Sequence, residues 1–303
     1  MAYQTFDTTC AYQLSKSMVS GEATMFAQDL CVGGTENTDD TEEGLDSAFD
    51  SARFYGGAVF ACESMTIPYA KNIYNKVYPA STTKVLTCLL ALKYGDLDQE
   101  VCVSSKAAAV PAGSSVAELM TGDTLTLRQL LYGLMLCSGN DAANAVAETV
   151  SGSNSAFVNL MNQEAQILGA THTHFTNPHG YPDDSHYTTV YDLYLIMNEA
   201  LKYPEFRELI KTKSYDVTYY DSNGVAVTKT WENTNQFLNG IQNPPEHVTV
   251  LGGKTGSSDS SGFCLILYCK NEAGEDEIAV MMKNESKETL YPDMAAMLTE
   301  FSN

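Results

Sequence analysis

Residues 248–283 read VTVLGGKTGSSDSSGFCLILYCKNEAGEDEIAVMMK, and three runs within them, VTVLGGKTG (248–256), GFCLILYCK (262–270) and EIAVMMK (277–283), are rich in apolar and β-branched residues. Gly, Ser and Asn-Glu turns separate the runs, so the segment is predicted to form an antiparallel meander. A closing helix over 291–301 would cover one face of that sheet. Far upstream, YGGAVFAC (55–62) is a short glycine-led apolar run of strand length, which makes both chain ends contributors to one sheet.

The sequence between them is helical in pattern. PASTTKVLTCLLALKYG (79–95) holds a helix that is apolar on every side and closed by Gly95, which predicts burial. Leu127, Leu130, Leu131, Leu134 and Met135 recur at the spacing of an amphipathic helix, followed by helices over 141–149, stopped by Ser151-Gly152, and from about 156 to 169. The expected fold class is therefore α/β: an antiparallel β-sheet built from both chain ends and flanked by helices, with an inserted helical subdomain. There are no internal repeats.

With 303 residues and 44% apolar content, the chain can bury one large core or two modest ones. The net charge of -21 argues against nucleic acid or an anionic membrane surface as partner, and no basic patch offsets it. Residues 35–50 carry Glu36, Asp39, Asp40, Glu42, Glu43, Asp46 and Asp50 without one Lys or Arg, so residues 1–50 are expected to be an acidic, flexible N-terminal segment. Their acids lack the turn glycines and alternate spacing of a cation-binding loop. No apolar stretch is long enough to span a membrane, and the N-terminus lacks the basic start and apolar run of a signal peptide. The eight cysteines are scattered without a CxxC pair, and Cys137 reads as a packing residue.

Three short constellations carry chemistry. In Ser81-Thr-Thr-Lys84 the helical spacing puts the lysine amine one turn from the serine hydroxyl, where apolar surroundings could keep it neutral as a base. Ser138-Gly139-Asn140 lies between two predicted helices; its hydroxyl and carboxamide could project between subdomains, cap the following helix, or do both. Lys254-Thr255-Gly256 is expected at the end of a strand on the sheet edge, its cation and hydroxyl suited to a carboxylate and its glycine letting a ligand lie close. Each motif alone recurs by accident. SxxK, SxN and KTG in that order, each on the element its chemistry needs, do not.

At these residues the chain resembles the penicillin-binding protein and serine β-lactamase superfamily, and more narrowly its low-molecular-weight D-alanyl-D-alanine carboxypeptidases. The likeness covers about 51–303, expected as the catalytic domain, and includes PASTTK, GDTLTLRQLLYGLMLCSGNDAANAVAE, FTNPHGYPDDSHYTT and GGKTGSSDSSGFCLILY. It implies Ser81 as nucleophile, Lys84 as its base and Ser138 as proton relay. It also implies Asn140 on the substrate amide, Lys254, Thr255 and Gly256 at the terminal carboxylate, and an oxyanion hole from the backbone N–H groups of Ser81 and Ser257. The implied substrate is a peptidoglycan stem peptide ending in D-Ala-D-Ala, with β-lactams as covalent inhibitors, no cofactor and no metal. An exported, extracytoplasmic monomer is expected, with membrane association only through a segment this sequence does not contain. Ser257 stands where many relatives have histidine, and Ser260-Ser261 replaces a more usual acidic-alanine pair.

Three rivals remain. A β-lactamase would need a glutamate placed to activate water, and none of Asp141, Glu148, Glu164, Asp183, Asp184 and Asp192 stands in the expected Glu-x-x-Leu-Asn setting. A non-catalytic sensor acylated by β-lactams could use the same motifs. A metallopeptidase could draw on His172, His174, His179 and His186, although no HExxH is present.

Overall fold

The computed structural model describes residues 49–302, so the acidic segment expected over residues 1–50 lies outside the described residues except for Phe49 and Asp50. In chain order the elements begin with β1 (Phe54–Ala61), β2 (Thr66–Lys71), α1 (Lys84–Tyr94), β3 (Glu100–Cys102), α2 (Ser105–Ala108) and β4 (Thr124–Thr126). Five helices follow: α3 (Leu127–Met135), α4 (Asn140–Ser151), α5 (Asn154–Ile167), α6 (Val190–Ala200) and α7 (Pro204–Lys211). The chain then forms β5 (Ser214–Tyr220), β6 (Ala226–Glu232), β7 (Thr249–Ser258), β8 (Gly262–Lys270), β9 (Asp276–Asn284) and α8 (Lys287–Phe301).

The meander forms as read. β7, β8 and β9 pair consecutively, and β1 joins the C-terminal strands by pairing with β9 from Phe54↔Asn284 to Ala61↔Glu277. The result is a five-stranded antiparallel sheet of order β2-β1-β9-β8-β7. Its strands β1, β8 and β9 are apolar and buried along most of their length because both faces are covered. Val59, Leu265, Leu267, Ala279 and Met281 face Leu290, Met294, Met297 and Leu298 of α8. The alternate residues Ala58, Phe60, Ile266, Ile278, Val280 and Met282 belong to the larger core shared with the helices.

The core of the helical layer is α1, in which every residue from Lys84 to Ala91 is buried. Gly95 ends it, its N–H bonded to Ala91 O at 2.9 Å. The predicted stripe of α3 is wholly buried, and its start is set by a reciprocal capping box. Thr126 Oγ1 accepts from Gln129 N at 3.2 Å while Gln129 Oε1 accepts from Thr126 N at 2.9 Å. α4 ends at Gly152, whose φ of +76° is the left-handed conformation that glycine reaches most readily.

Three features were not legible in the pattern. β5 and β6 form a hairpin that joins β3 and β4 in a separate four-stranded sheet rather than extending the meander, since alternation identifies a strand but not its partner. α6 and α7 fill 190–211, where the apolar run VYDLYLIM has no clean period because α6 is buried on most sides. α8 starts at Lys287 rather than Tyr291, with Pro292 inside it. Ser286 caps this start by accepting from Thr289 N at 3.1 Å. Among the described residues no helix is long and apolar enough to cross a membrane.

The capping box makes a direct prediction. Thr126→Ala should lower stability by about 1 kcal/mol in urea unfolding, whereas Thr126→Ser, which keeps the acceptor, should stay close to the parent.

Candidate active site

Residues Ala80–Thr83 form one 3-10 turn that runs into α1. Thr82 Oγ1 donates to Pro79 O at 2.7 Å, and Ala80 takes a φ of +47°, a left-handed conformation unfavourable for a residue with a Cβ. Ser81 is therefore presented from a strained turn. Lys84 Nζ lies 2.8 Å from Ser81 Oγ, 2.8 Å from Asn140 Oδ1 and 2.7 Å from His179 O. The side chain is 0% exposed. Burial first, and then the nearby Lys254 charge, hold its amine well below the ordinary lysine range against the opposing pull of Asp141 and Cys137.

Asn140 reaches Lys84 because it opens α4. Gly139 occupies the N-cap position and no side chain caps the helix, so the capping role considered for Ser138 or Asn140 is not what their side chains do. Ser138, at a φ of +60°, instead places its Oγ 3.0 Å from Lys254 Nζ. Asp141, buried next to them, accepts from Ala117 N at 2.8 Å and Leu119 N at 2.9 Å. Those bonds pin the loop that carries Ser115.

The Lys254-Thr255-Gly256 motif lies inside β7, not at its end as expected, and β7 is an edge strand of the five-stranded sheet. Besides lining the cleft, Gly256 makes a close contact within the protein. A Cβ there would stand 3.0 Å from Ser81 N and 3.1 Å from Pro79 O, so its bare backbone lets the strand pack against the Ser81 turn. Lys254 is 1% exposed, and burial lowers its amine to about 7. Thr255 Oγ1 is 2.6 Å from Thr234 Oγ1. A cleft of about 160 Å³ opens over these groups, lined by Ser81, Ser138, Thr255, Gly256 and Ser257, with Ser115 and Thr234 besides. Lys84, Asn140 and Lys254 lie buried and hydrogen-bonded to one another or to the cleft hydroxyls.

Residues 59–286 match the D-alanyl-D-alanine carboxypeptidase family, peptidase S11. The chain belongs to this family. It is similar to the D-alanyl-D-alanine carboxypeptidase of Streptomyces sp. strain K15, at 33% identity over 242 residues, 76% of this chain and 81% of that protein. It is 34% identical to D-alanyl-D-alanine carboxypeptidase DacF of Bacillus subtilis over 67% of this chain, which spans half of that longer protein. The crystal structure of the Streptomyces K15 DD-transpeptidase superposes with a TM-score of 0.76 at 30% identity, covering 82% of this chain and 97% of that one.

As a member of the S11 family the chain is a serine-type hydrolase, and Glu164, Glu148, Asp192 and the histidines named for rival chemistries have other partners. Glu164 is paired with Lys93 at 2.7 Å, near the far end of α1 from Ser81. Glu148 accepts from Ser104 at 2.6 Å, and Asp192 from Thr173 Oγ1 at 2.6 Å. The histidine rings do not converge: His174 faces Ser185 O, His179 accepts from Tyr181 N, and His186 bridges Thr83 and Thr176. Among the described residues no three His, Cys, Asp or Glu side chains are grouped to hold a metal ion. Cys137 Sγ donates to Gly133 O at 3.1 Å, and burial pushes its thiol up to about 12, as a packing residue would have it.

The sequence reading missed the contribution of the 176–181 loop. Asn177 Oδ1 accepts from Gly180 N at 2.7 Å and Tyr181 N at 3.1 Å, a turn that aims the His179 carbonyl at Lys84. The Asn-Pro and His-Gly pairs signal a turn, but a backbone carbonyl has no residue type by which sequence could announce it. At Gly180, φ is +87° and a Cβ would fall 1.7 Å from Ala80 O. Gly180→Ala should therefore cost on the order of 3 kcal/mol by strain and overpacking and slow acylation by benzylpenicillin. Gly152→Ala, with φ +76° and nothing within 4 Å, should show only the backbone cost. Thermal unfolding and adduct formation measured on both variants check the contrast.

Proposed function

We propose that the chain is a D-Ala-D-Ala carboxypeptidase that removes the terminal D-alanine of peptidoglycan stem peptides through an acyl-enzyme, with residues 51–303 as its catalytic domain. The observation that carries this reading is the buried Lys84 amine at 2.8 Å from Ser81 Oγ. A neutral amine has two N–H donors and one lone pair. Asn140 Oδ1 and the His179 carbonyl can only accept, so they take both donors and turn the lone pair toward the Ser81 hydroxyl.

Lys84 takes the Ser81 proton as Oγ attacks the carbonyl of the penultimate D-alanine. The backbone N–H groups of Ser81 and Ser257 stabilise the tetrahedral oxyanion. Ser138, whose Oγ already accepts from Lys254, gives its own proton to the departing D-alanine amine and receives in exchange the proton taken up by Lys84, so the C–N bond breaks to leave the acyl-enzyme with Lys84 neutral again. Water then attacks the ester, the neutral Lys84 accepting its proton and returning it to Ser81 Oγ as the acyl–oxygen bond breaks. Asn140 Nδ2 remains as donor to a substrate carbonyl because Oδ1 is taken by Lys84. Lys254, Thr255 and the close backbone at Gly256 and Ser257 receive the terminal carboxylate. A β-lactam enters the same path, but its leaving nitrogen stays tethered in the cleft, which makes it a covalent inhibitor. The substrate places the enzyme outside the cytoplasmic membrane, where it works as a monomer.

The test is intact mass after incubation with benzylpenicillin, together with D-alanine release from a peptide ending in D-Ala-D-Ala. One equivalent of adduct plus release is expected, and Ser81→Ala should abolish both while leaving the fold intact. Adduct without release would favour a β-lactam sensor, and an adduct on the Ser81→Ala variant would sink the assignment. Lys84→Ala should slow acylation about 100-fold or more.

The two lysines also predict a pH profile. Lys84 acts neutral, so acylation falls as pH drops through its depressed pKa. Lys254 binds the carboxylate charged, so affinity falls as pH rises past its value of about 7 in the free enzyme. A bell-shaped kcat/KM is expected, with the alkaline limb missing for a substrate lacking the terminal carboxylate.

A further inference from the structure

His186 is 2% exposed and sits between two segments of the site without touching a cleft hydroxyl named above. Its Nδ1 is 3.1 Å from Thr176 N, and a backbone N–H can only donate, so Nδ1 is the accepting nitrogen. The proton is then on Nε2, which lies 2.9 Å from Thr83 Oγ1 and donates to it. With both nitrogens committed, the ring cannot serve as a base toward Ser81.

Thr83 adjoins Lys84, and the 176–181 loop is fastened to this end of α1 at three points. They are His186 to Thr83, Lys84 Nζ to His179 O at 2.7 Å, and Thr87 Oγ1 to Pro178 O at 2.6 Å. Of the three, only the His186 bridge avoids both the reacting groups and the carbonyl arm next to them.

Resting on the function proposed above, we propose that His186 is a positioning residue for the Lys84 base. By tying Thr83 to the Thr176 backbone it holds the His179 carbonyl on the amine and keeps water out of the space around it. Lys84 is faced by Lys254, Asp141, Cys137 and the His179 ring, and the His186 ring by Asp183, His174, His179 and Lys84. None of these needs to change charge for the bridge to act.

The experiment is the rate of benzylpenicillin acylation as a function of pH, followed by intact mass, for the wild type and three variants. His186→Phe fills the space but removes the hydrogen bonds to Thr83 and Thr176, so the loop loosens and Lys84 becomes wetter. The acid limb should move to higher pH, with acylation at pH 7 reduced about tenfold or more and the deficit narrowing as pH rises. His186→Gln, which offers one acceptor to Thr176 N and one donor to Thr83, should restore the wild-type limb. Thr83→Val removes the other half of the bridge and should shift the limb the same way, which keeps the test open if His186→Phe does not fold.

A drop in rate by one factor at every pH would reduce His186 to a structural role and overturn the proposal, as would a Gln variant as impaired as the Phe variant. Failure of the wild type itself to form an adduct would overturn the function reading, and this one with it.

Discussion

A lysine amine buried at hydrogen-bond distance from a serine hydroxyl is the constraint around which the site is built. Burying a charged ammonium costs several kcal/mol after relaxation, so the group must be surrounded by acceptors, shed its proton, or both. Here the amine's hydrogen-bond partners come from three places far apart in sequence: the turn at Ser81, the start of α4 at Asn140 and the loop at His179. Their convergence dictates where α1, α4 and the 176–181 loop lie. A second buried lysine, Lys254, extends the arrangement across the cleft by bonding to Ser138.

The close approach this requires is made at glycines and at strained residues. Gly180 meets Ala80, Gly139 meets Ala117 and Gly256 meets Ser81, each with a backbone atom where a side chain would stand. Ala80 and Ser138, beside or within the motifs, both take positive φ. Strain of this kind persists only on a scaffold that over-determines it. The five-stranded sheet, covered on both faces, supplies that scaffold.

Much of the scaffold was legible because burial leaves a periodic trace. The three apolar runs of the meander, the Leu127–Met135 stripe and the all-round apolar helix after Lys84 became the elements their patterns implied. The hairpin at 214–232 shows where pattern stops: its pairing into a second sheet depends on β3 and β4, about a hundred residues away. α8 shows another limit. The closing helix was expected over 291–301, yet the Ser286 cap and the burial of Leu290 and Tyr291 carry it four residues further back.

For the site, side-chain identity and order determined the chemistry: SxxK at helical spacing, SxN between helices and KTG on a strand name a serine acyl-transfer apparatus whichever way the elements pack. Tertiary structure alone decided how the pieces are held. The His179 carbonyl, the His186 bridge, the Thr234 to Thr255 contact and the role of Gly256 are relations between backbone and side-chain atoms of distant segments. Local sequence encodes what a residue can donate, accept or bury. Which partner stands within 3 Å of it is set by how the whole chain packs, and no local pattern carries that information.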